Sequence, residues 1–536
     1  MGVRDSYNES ATGPINLPGE SLTRGGKSSR ESINFQVENS ESKKVILFIL
    51  FILPWFFYFH TLSYPFFFDD FANIVSNLDI QDLSQILKKL ITRSGFGMGQ
   101  NDPSRPITFL TYALNYSLAR FNPVGYRALN LLVHSSASVV LFLLTQRLIK
   151  LNFQKEIPSL AFFIALLFCA HPLQLEVATY ISGRADGLST LFYLLSLLLF
   201  MKSQEHRLYG AFSIFTFILC FWSKPIGVTF PAMALCFDFL FLPRSQIKQR
   251  IWIHLSYWTL LISFLIFRVV YLGGLGDRVT DPFSHWTRLT YFLTQPYCIL
   301  KYIQLLLLPL GQSVDHFIEP SQSLFDSRTL SSLFALAGLL LLAIRFAIRF
   351  PLYKKWVWFS LLWFFVTLSP TSSLFPINDA MTERRLYLPC WGFFLLLGSL
   401  THHARSRTQK ALPIFLVYVL VLSLLSWKRS YLFKDPLSPW QEAVQLYSKN
   451  TRAQYNLGNE YLKEGNFLKA KERYEAALNL NNQLAEPHNN LGIILVAQRH
   501  YREAEFHFKK ALQIKPLRDA ENNLRNLQLQ MKQSRN

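Results

Sequence analysis

The chain has 536 residues, half of them hydrophobic and only 16% charged, with 48 Phe; a soluble protein of this length carries nearer a quarter charged residues, so a water-soluble globular enzyme is excluded. The formal net charge is +20, yet the Lys and Arg residues stand mostly at the ends of apolar runs, the pattern of cytoplasmic turns in a membrane protein and not of a nucleic-acid surface. Composition therefore names the lipid bilayer as a partner, with no nucleic acid.

Residues 1–42 are polar and rich in Ser, Gly and Asn, and read as a disordered cytoplasmic tail. No cleavable signal peptide is recognised there, so the run from Val45 to Phe59 is expected to be an uncleaved first span, with Lys43 and Lys44 holding the N-terminus inside. A first extracytoplasmic loop, 64–126, follows. Further spans are expected near 127–146, 159–171, 186–201, 208–222, 226–242 and 252–272. Arg147, Lys150, Lys155, Lys202, Arg207, Arg244, Lys248 and Arg250 then mark every cytoplasmic turn. The stretch 289–311 is interrupted by Pro296, Lys301 and Pro309 and is expected to enter and leave on one side. A full crossing there would put Arg345, Arg349, Lys354 and Lys355, and then Arg405, Arg407 and Lys410, outside. Four more spans, near 329–344, 356–370, 386–400 and 411–427, bring the total to about eleven in a transmembrane domain of 43–430. Cys169, Cys220, Cys236, Cys298 and Cys390 lie in or beside apolar stretches without a CxxC pair, which suggests neither a zinc site nor a disulfide framework.

Residues 451–518 repeat with a period of 34, the spacing of tetratricopeptide repeats. Leu457, Gly458, Ala470, Tyr474, Ala477 and Leu478 recur as Leu491, Gly492, Ala504, Phe508, Ala511 and Leu512. The small residues let two antiparallel helices approach and the aromatic fills the gap. Repeats of 451–484 and 485–518 are expected, with a polar capping helix at 519–533. Trp440 and Ala443 stand one period before Tyr474 and Ala477, so 436–450 reads as the second helix of a degenerate repeat, opening a domain of 436–533. The fold class is an all-α polytopic membrane protein ending in an α-solenoid. The array is either a structural cap or dimerisation surface, or a groove that presents a protein acceptor.

Several polar groups fall in the expected outside loops. Asp69 and Asp70 follow Phe66-Phe67-Phe68; adjacent carboxylates repel, which raises the pKa of one and suits a general base, the alternative being a solvated loop pair. His171, Glu176, Arg184 and Asp186 put four ionisable groups between two spans. Arg184 could grip a lipid phosphate with its planar fork, or form an ion pair with Asp186 or Glu176. Arg105, Lys224, Asp315 with His316, and Glu383 with Arg384 and Arg385 share the same side, so one polar cavity is expected. Asp315 and His316 lack a third metal ligand nearby, and no metal site is assigned.

In this order the motifs resemble the transmembrane and tetratricopeptide repeat-containing family, whose eukaryotic members are protein O-mannosyltransferases with a GT-C fold. The resemblance covers roughly 45–518. It rests on Asp69-Asp70 with Ala72, Asn73-Ile74, Asn77 and Asp79, on Arg105-Pro106-Ile107-Thr108 with Asn115-Tyr116, and on His171-Pro172, Glu176 and Gly183-Arg184-Ala185-Asp186. Glu383-Arg384 and Leu386-Tyr387-Leu388-Pro389 complete it. Trp222-Ser223-Lys224-Pro225 with Val228-Thr229, and the short array, are similar to bacterial relatives.

The resemblance implies a GT-C-like bundle, an extracytoplasmic active site and a polyprenyl-phosphate sugar as donor, with no other cofactor assigned. It implies Asp69 as the base, with Asp70 beside it. The donor-binding residues expected are Arg184, Lys224, Arg105, His171, Glu176, Asp186, Glu383 and Arg384. The function expected is transfer of mannose or another hexose to a protein Ser or Thr hydroxyl. The alternatives are a non-catalytic membrane scaffold for envelope proteins and a glycosyltransferase acting on an envelope glycan or lipid. The expected location is the bacterial inner membrane with the repeats facing the periplasm or exterior, or the endoplasmic reticulum membrane in a eukaryote.

Overall fold

The computed structural model describes residues 25–84, 86, 88, 104–272, 283, 286–405, 408 and 411–533, and no strand occurs among the described residues. Residues 1–49 form one unit and 50–536 another. The helix Gly25–Tyr58 already includes 25–42, where a tail was expected; between Gly26 and Pro54 no Pro or Gly interrupts it. The rest of that tail, 1–24, lies outside the described residues.

All eleven expected spans fall on helices, but not all have membrane length. Six described helices are long and apolar enough to cross a bilayer, and a seventh crossing arises if Pro158–Ala170 and Pro172–Ala178, bent by 55° at His171, count as one. The remaining four expected spans fall on Arg207–Ser223, Pro225–Phe241, Lys354–Leu368 and Cys390–Arg405. At 1.5 Å per residue these reach only about 23–26 Å, short of the ~30 Å hydrocarbon core. They are cut short by polar loops. Ser223-Lys224-Pro225 breaks one pair and the segment 369–389 another.

Side-chain bonds sort the turns into two ends. At one end Arg147 pairs with Glu205, Gln204 bonds Gln246 at 3.3 Å, Asn152 donates to the Leu352 carbonyl at 3.0 Å, and Tyr353 meets His402 at 2.8 Å. These are the turns that carry the basic clusters. At the other end Arg127 donates to the carbonyls of Tyr64, of Pro65 at 2.6 Å and of Thr179 at 3.0 Å, while Thr108 donates to the Ser223 carbonyl at 2.9 Å. The loops near 64, 180, 224, 313 and 383 and the repeats all meet here.

The stretch 289–311 was expected to be interrupted; instead Arg288–Leu307 is one helix that runs through Pro296 and stops just before Pro309. Near its start, Tyr291 donates to the Thr371 carbonyl at 2.6 Å. At its end, the Leu307 carbonyl accepts from Tyr418, halfway along the helix Ala411–Ser430. Six residues later Ser313 is bonded to Glu383, back at the loop-rich end. Six extended residues reach about 20 Å, enough for that return. The segment thus goes in partway and comes back to the end it entered from.

The repeat region follows Ser430. Leu437–Leu446 precedes the pairs Thr451–Lys463 with Phe467–Leu480 and Ala485–Ala497 with Tyr501–Ile514, and Arg518–Gln533 closes the array. A Cβ on Gly458 would lie 2.7 Å from the Tyr474 ring, and one on Gly492 2.5 Å from Phe508, so each glycine is where the aromatic sixteen residues later packs.

Candidate active site

The chain turns sharply at Phe67–Asp70, where the Asp70 amide donates to the Phe67 carbonyl at 2.9 Å and Phe68 has φ +45°. A positive φ at the second position of a turn favours Gly, Asn or Asp; a Phe there costs about 1–2 kcal/mol. The fully buried Asp70 carboxylate closes the turn. It accepts from the Phe67 amide at 3.1 Å, the Ser182 amide at 2.9 Å and the Ser182 hydroxyl at 2.6 Å. Burial pushes its pKa up to about 6, against those hydrogen bonds and the Arg127 charge. The rise expected for one of the two acids is found, but its cause is desolvation and not repulsion by Asp69. Asp70 has no face on the cavity, so the expected catalytic pair separates into one presented acid and one structural acid.

Asp69 is the presented one. Its backbone amide donates to the Tyr180 hydroxyl at 3.0 Å, and its carboxylate lines a cavity of about 280 Å³ with Glu176, Tyr180, Arg384, Asp379 and Arg452. Arg384 lies 4.0 Å from the Asp69 carboxylate. Burial works to discharge Arg384, but Asp69, Tyr180, Asp186 and Glu176 outweigh it and hold its pKa above the ordinary arginine value. Glu176 is buried and its Oε1 has no hydrogen-bond partner among the described residues. Behind this wall Lys224 pairs with Asp186 at 2.5 Å. Burial, helped by the charges of Arg105 and Arg384, brings the Lys224 pKa down to about 8 against the pull of Asp186. Lys224 is thus within electrostatic reach of both Arg105 and Arg384.

Other expected donor-binding residues sit elsewhere. Arg184 pairs with neither Asp186 nor Glu176 and does not line the cavity. Its buried guanidinium donates to Asn130 at 2.8 Å, Thr111 at 3.2 Å and the Tyr126 carbonyl at 2.8 Å, and lies 4.7 Å from the centre of the Tyr112 ring. Fully engaged by neutral groups, it ties helices together. His171 is buried at the bend after Ala170. It accepts from the Leu173 amide at 3.2 Å and donates to the Leu306 carbonyl at 3.1 Å. Glu383 accepts from Gln312 at 2.6 Å, the Ser313 amide at 2.8 Å and His316 at 2.9 Å, so it clasps the loop after Leu307.

Asp315 and His316 serve the repeats. Asp315 is bound by Arg452, whose guanidinium also meets Asp379 at 2.6 Å, and His316 contacts the Tyr447 hydroxyl at 3.1 Å. Among the described residues no group of three or more His, Cys, Asp or Glu could hold a metal. Sequence reasoning missed Tyr180, Asp379 and Arg452 altogether, and saw Trp440 only as a repeat residue.

Residues 458–498 match the family described as TPR repeat and residues 485–517 the one described as Tetratricopeptide repeat. Over a longer span the chain is similar to the protein O-mannosyl-transferase F38B6.6 of Caenorhabditis elegans, 26% identical over 452 residues covering 82% of this chain and 62% of the relative. It is 27% identical to human protein O-mannosyl-transferase TMTC1, covering 82% of this chain and 55% of that protein. It is 28% identical to human TMTC4, covering 75% of this chain and 62% of that protein. The chain therefore spans between half and two thirds of the length of the curated relatives it matches. An apolar helical region, two tetratricopeptide repeats and this similarity over three quarters or more of its length make the chain a homologue of the TMTC protein O-mannosyl-transferases.

Proposed function

We propose that the protein is an integral-membrane glycosyltransferase of the GT-C type that moves mannose, or another hexose, from a polyprenyl-phosphate carrier to a Ser or Thr hydroxyl of a protein. The observation that carries this reading is the Asp69–Arg384 pair, an acid and a cation side by side on one cavity at the loop-rich end of an apolar bundle. The names of the relatives supply the reaction class. In this reading Asp69 takes the proton of the acceptor hydroxyl as its oxygen forms a bond to the sugar C1. The bond from C1 to the phosphate oxygen breaks, and the lipid phosphate leaves with the electron pair, inverting C1. Arg384 meets the charge gathering on that phosphate, with the positive field of Lys224 and Arg105 behind it. The open Oε1 of Glu176 is available to a sugar hydroxyl.

The basic turns at the opposite end support a cytoplasmic assignment for that end, and so an extracytoplasmic site and repeat domain. The same reading keeps eleven spans in 43–430, with the four shorter helices completed inside the bundle, the repeats of 436–533 on the outer side, and the bacterial inner membrane as location. The test is incubation of the protein in nanodiscs with polyprenyl-phosphate mannose and a Ser/Thr peptide. A peptide mass gain of one hexose, absent with Asp69→Asn, is expected. No gain with the unaltered protein, across mannose and other hexose donors, overturns the reading.

A further inference from the structure

We infer that Trp440, on the helix that opens the repeat region, is a positioning residue for Asp69: its indole holds Phe68 in the left-handed conformation that turns the Asp69 carboxylate into the cavity. The glycosyltransferase reading above is needed only for the kinetic half of the test.

The turn at Phe67–Asp70 is secured at its base by Asp70, whose carboxylate binds the Phe67 amide and Ser182. Those bonds do not reach the tip, where the Asp69 amide is held by the Tyr180 hydroxyl at 3.0 Å and the Phe68 carbonyl by the Phe71 amide at 3.1 Å. Phe68 is 38% exposed and lines the cavity, so it has little packing with which to hold a φ of +45° that a Phe disfavours. The close ring contact at its side chain is with Trp440. The two rings meet edge to face with centroids 5.0 Å apart, and the same indole lies 5.8 Å from Phe67. Trp440 is 2% exposed, and Phe67, Tyr180, Trp440 and Leu457 belong to one continuous buried cluster. The core of the repeats therefore runs without a break into the turn that carries the acid.

The helix bearing Trp440, and the repeat helix after it, are each tied to the membrane region by an ion pair. Glu442, two residues on, pairs with Arg429 at 3.2 Å where the last apolar helix ends. Arg452, at the start of the following helix Thr451–Lys463, is bound by Asp315 and Asp379. The repeat region then supplies part of the reaction centre, in addition to any surface it offers to an acceptor.

The test pairs Trp440→Leu with Phe68→Gly. With polyprenyl-phosphate mannose and a short Ser/Thr peptide, Trp440→Leu is expected to lower kcat by roughly tenfold or more while donor KM stays within about twofold, because misplacing a reacting group costs rate and not donor contacts. Trp440→Phe keeps a ring on Phe68 and should recover most of the loss. Glycine accepts positive φ without strain, so in a Phe68→Gly background the same Trp440→Leu change should cost only about threefold or less. A readout free of sugar transfer is the labelling rate of Asp69→Cys by a membrane-impermeant maleimide, read against the parent protein. It should change by about threefold or more on adding Trp440→Leu if the tip of the turn relaxes. Unchanged labelling overturns the inference whether or not the protein transfers sugar. An equal kcat loss in the Phe68 and Phe68→Gly backgrounds overturns it too.

Discussion

The Arg384 guanidinium and the Asp69 carboxylate stand 4.0 Å apart with 27% and 38% of their side chains exposed. At that distance and exposure the pair contributes little to stability. Its effect is to present opposite charges side by side on the cavity wall.

Asp69→Asn should therefore leave folding intact and remove the reaction. The expected loss is about 10²–10⁴-fold in kcat, the usual contribution of a general base. Thermal unfolding in detergent should shift by less than about 1 kcal/mol in equivalent stability, as for a surface substitution. Activity within tenfold of the unaltered protein would place the base elsewhere.

Asp70→Asn should behave in the opposite way. The amide cannot accept from Phe67 on one oxygen and Ser182 on the other without turning a donor on a donor. Roughly 1–3 kcal/mol of stability should be lost, visible as a lower Tm, with kcat falling because the turn loosens. A normal Tm would mean that the Asp70 bonds are dispensable.

Arg184 separates structure from donor binding. Arg184→Met strands Asn130, Thr111 and the Tyr126 carbonyl and should cost about 3 kcal/mol or more. Donor KM of the folded fraction should not change. A raised donor KM at normal thermal stability would return Arg184 to the phosphate site.

Lys224 gives a pH test. Burial sets its pKa at about 8, against 10.5 for an ordinary lysine, so it is charged below that pH and neutral above it. If its charge meets the donor phosphate, donor KM should be flat below pH 8 and rise above it, by up to about tenfold per unit. Lys224→Arg should remove the rise, because arginine stays protonated throughout. A rise that survives this change would belong to another group.

Orientation is checked with reporters. A reporter after residue 430 should lie outside the cytoplasm and one in 406–410 inside, because the two positions flank the single helix Ala411–Ser430. A cytoplasmic signal after 430 would remove the extracytoplasmic assignment of the cavity.

What could be read in advance followed from periodicity. The offset of 34 placed Gly458 against Tyr474 and Gly492 against Phe508, because a repeat encodes its own nearest contacts. Basic clusters sorted the turns into the two ends the bonds reveal, because charge acts on each loop separately. Partner choice was not readable. Arg184 stands two residues from Asp186, yet Asp186 pairs with Lys224, thirty-eight positions on, because helix packing and not chain distance decides which side chains meet. The roles of Arg452 and Trp440 were hidden for the same reason, since their partners Asp315 and Phe68 lie in loops whose path no local pattern specifies.

The contact between Phe68 and Trp440 joins the first loop after the first apolar helix to the first helix after the last one. During synthesis the acid-bearing turn emerges early and must wait, without its wedge, until every membrane helix has been inserted and the repeats have begun to leave the ribosome. Closure of such a long loop comes late in folding. A nascent or truncated chain ending before residue 437 would carry Asp69 but not the Trp440 ring that packs on its turn, so the cavity wall is completed only late in synthesis.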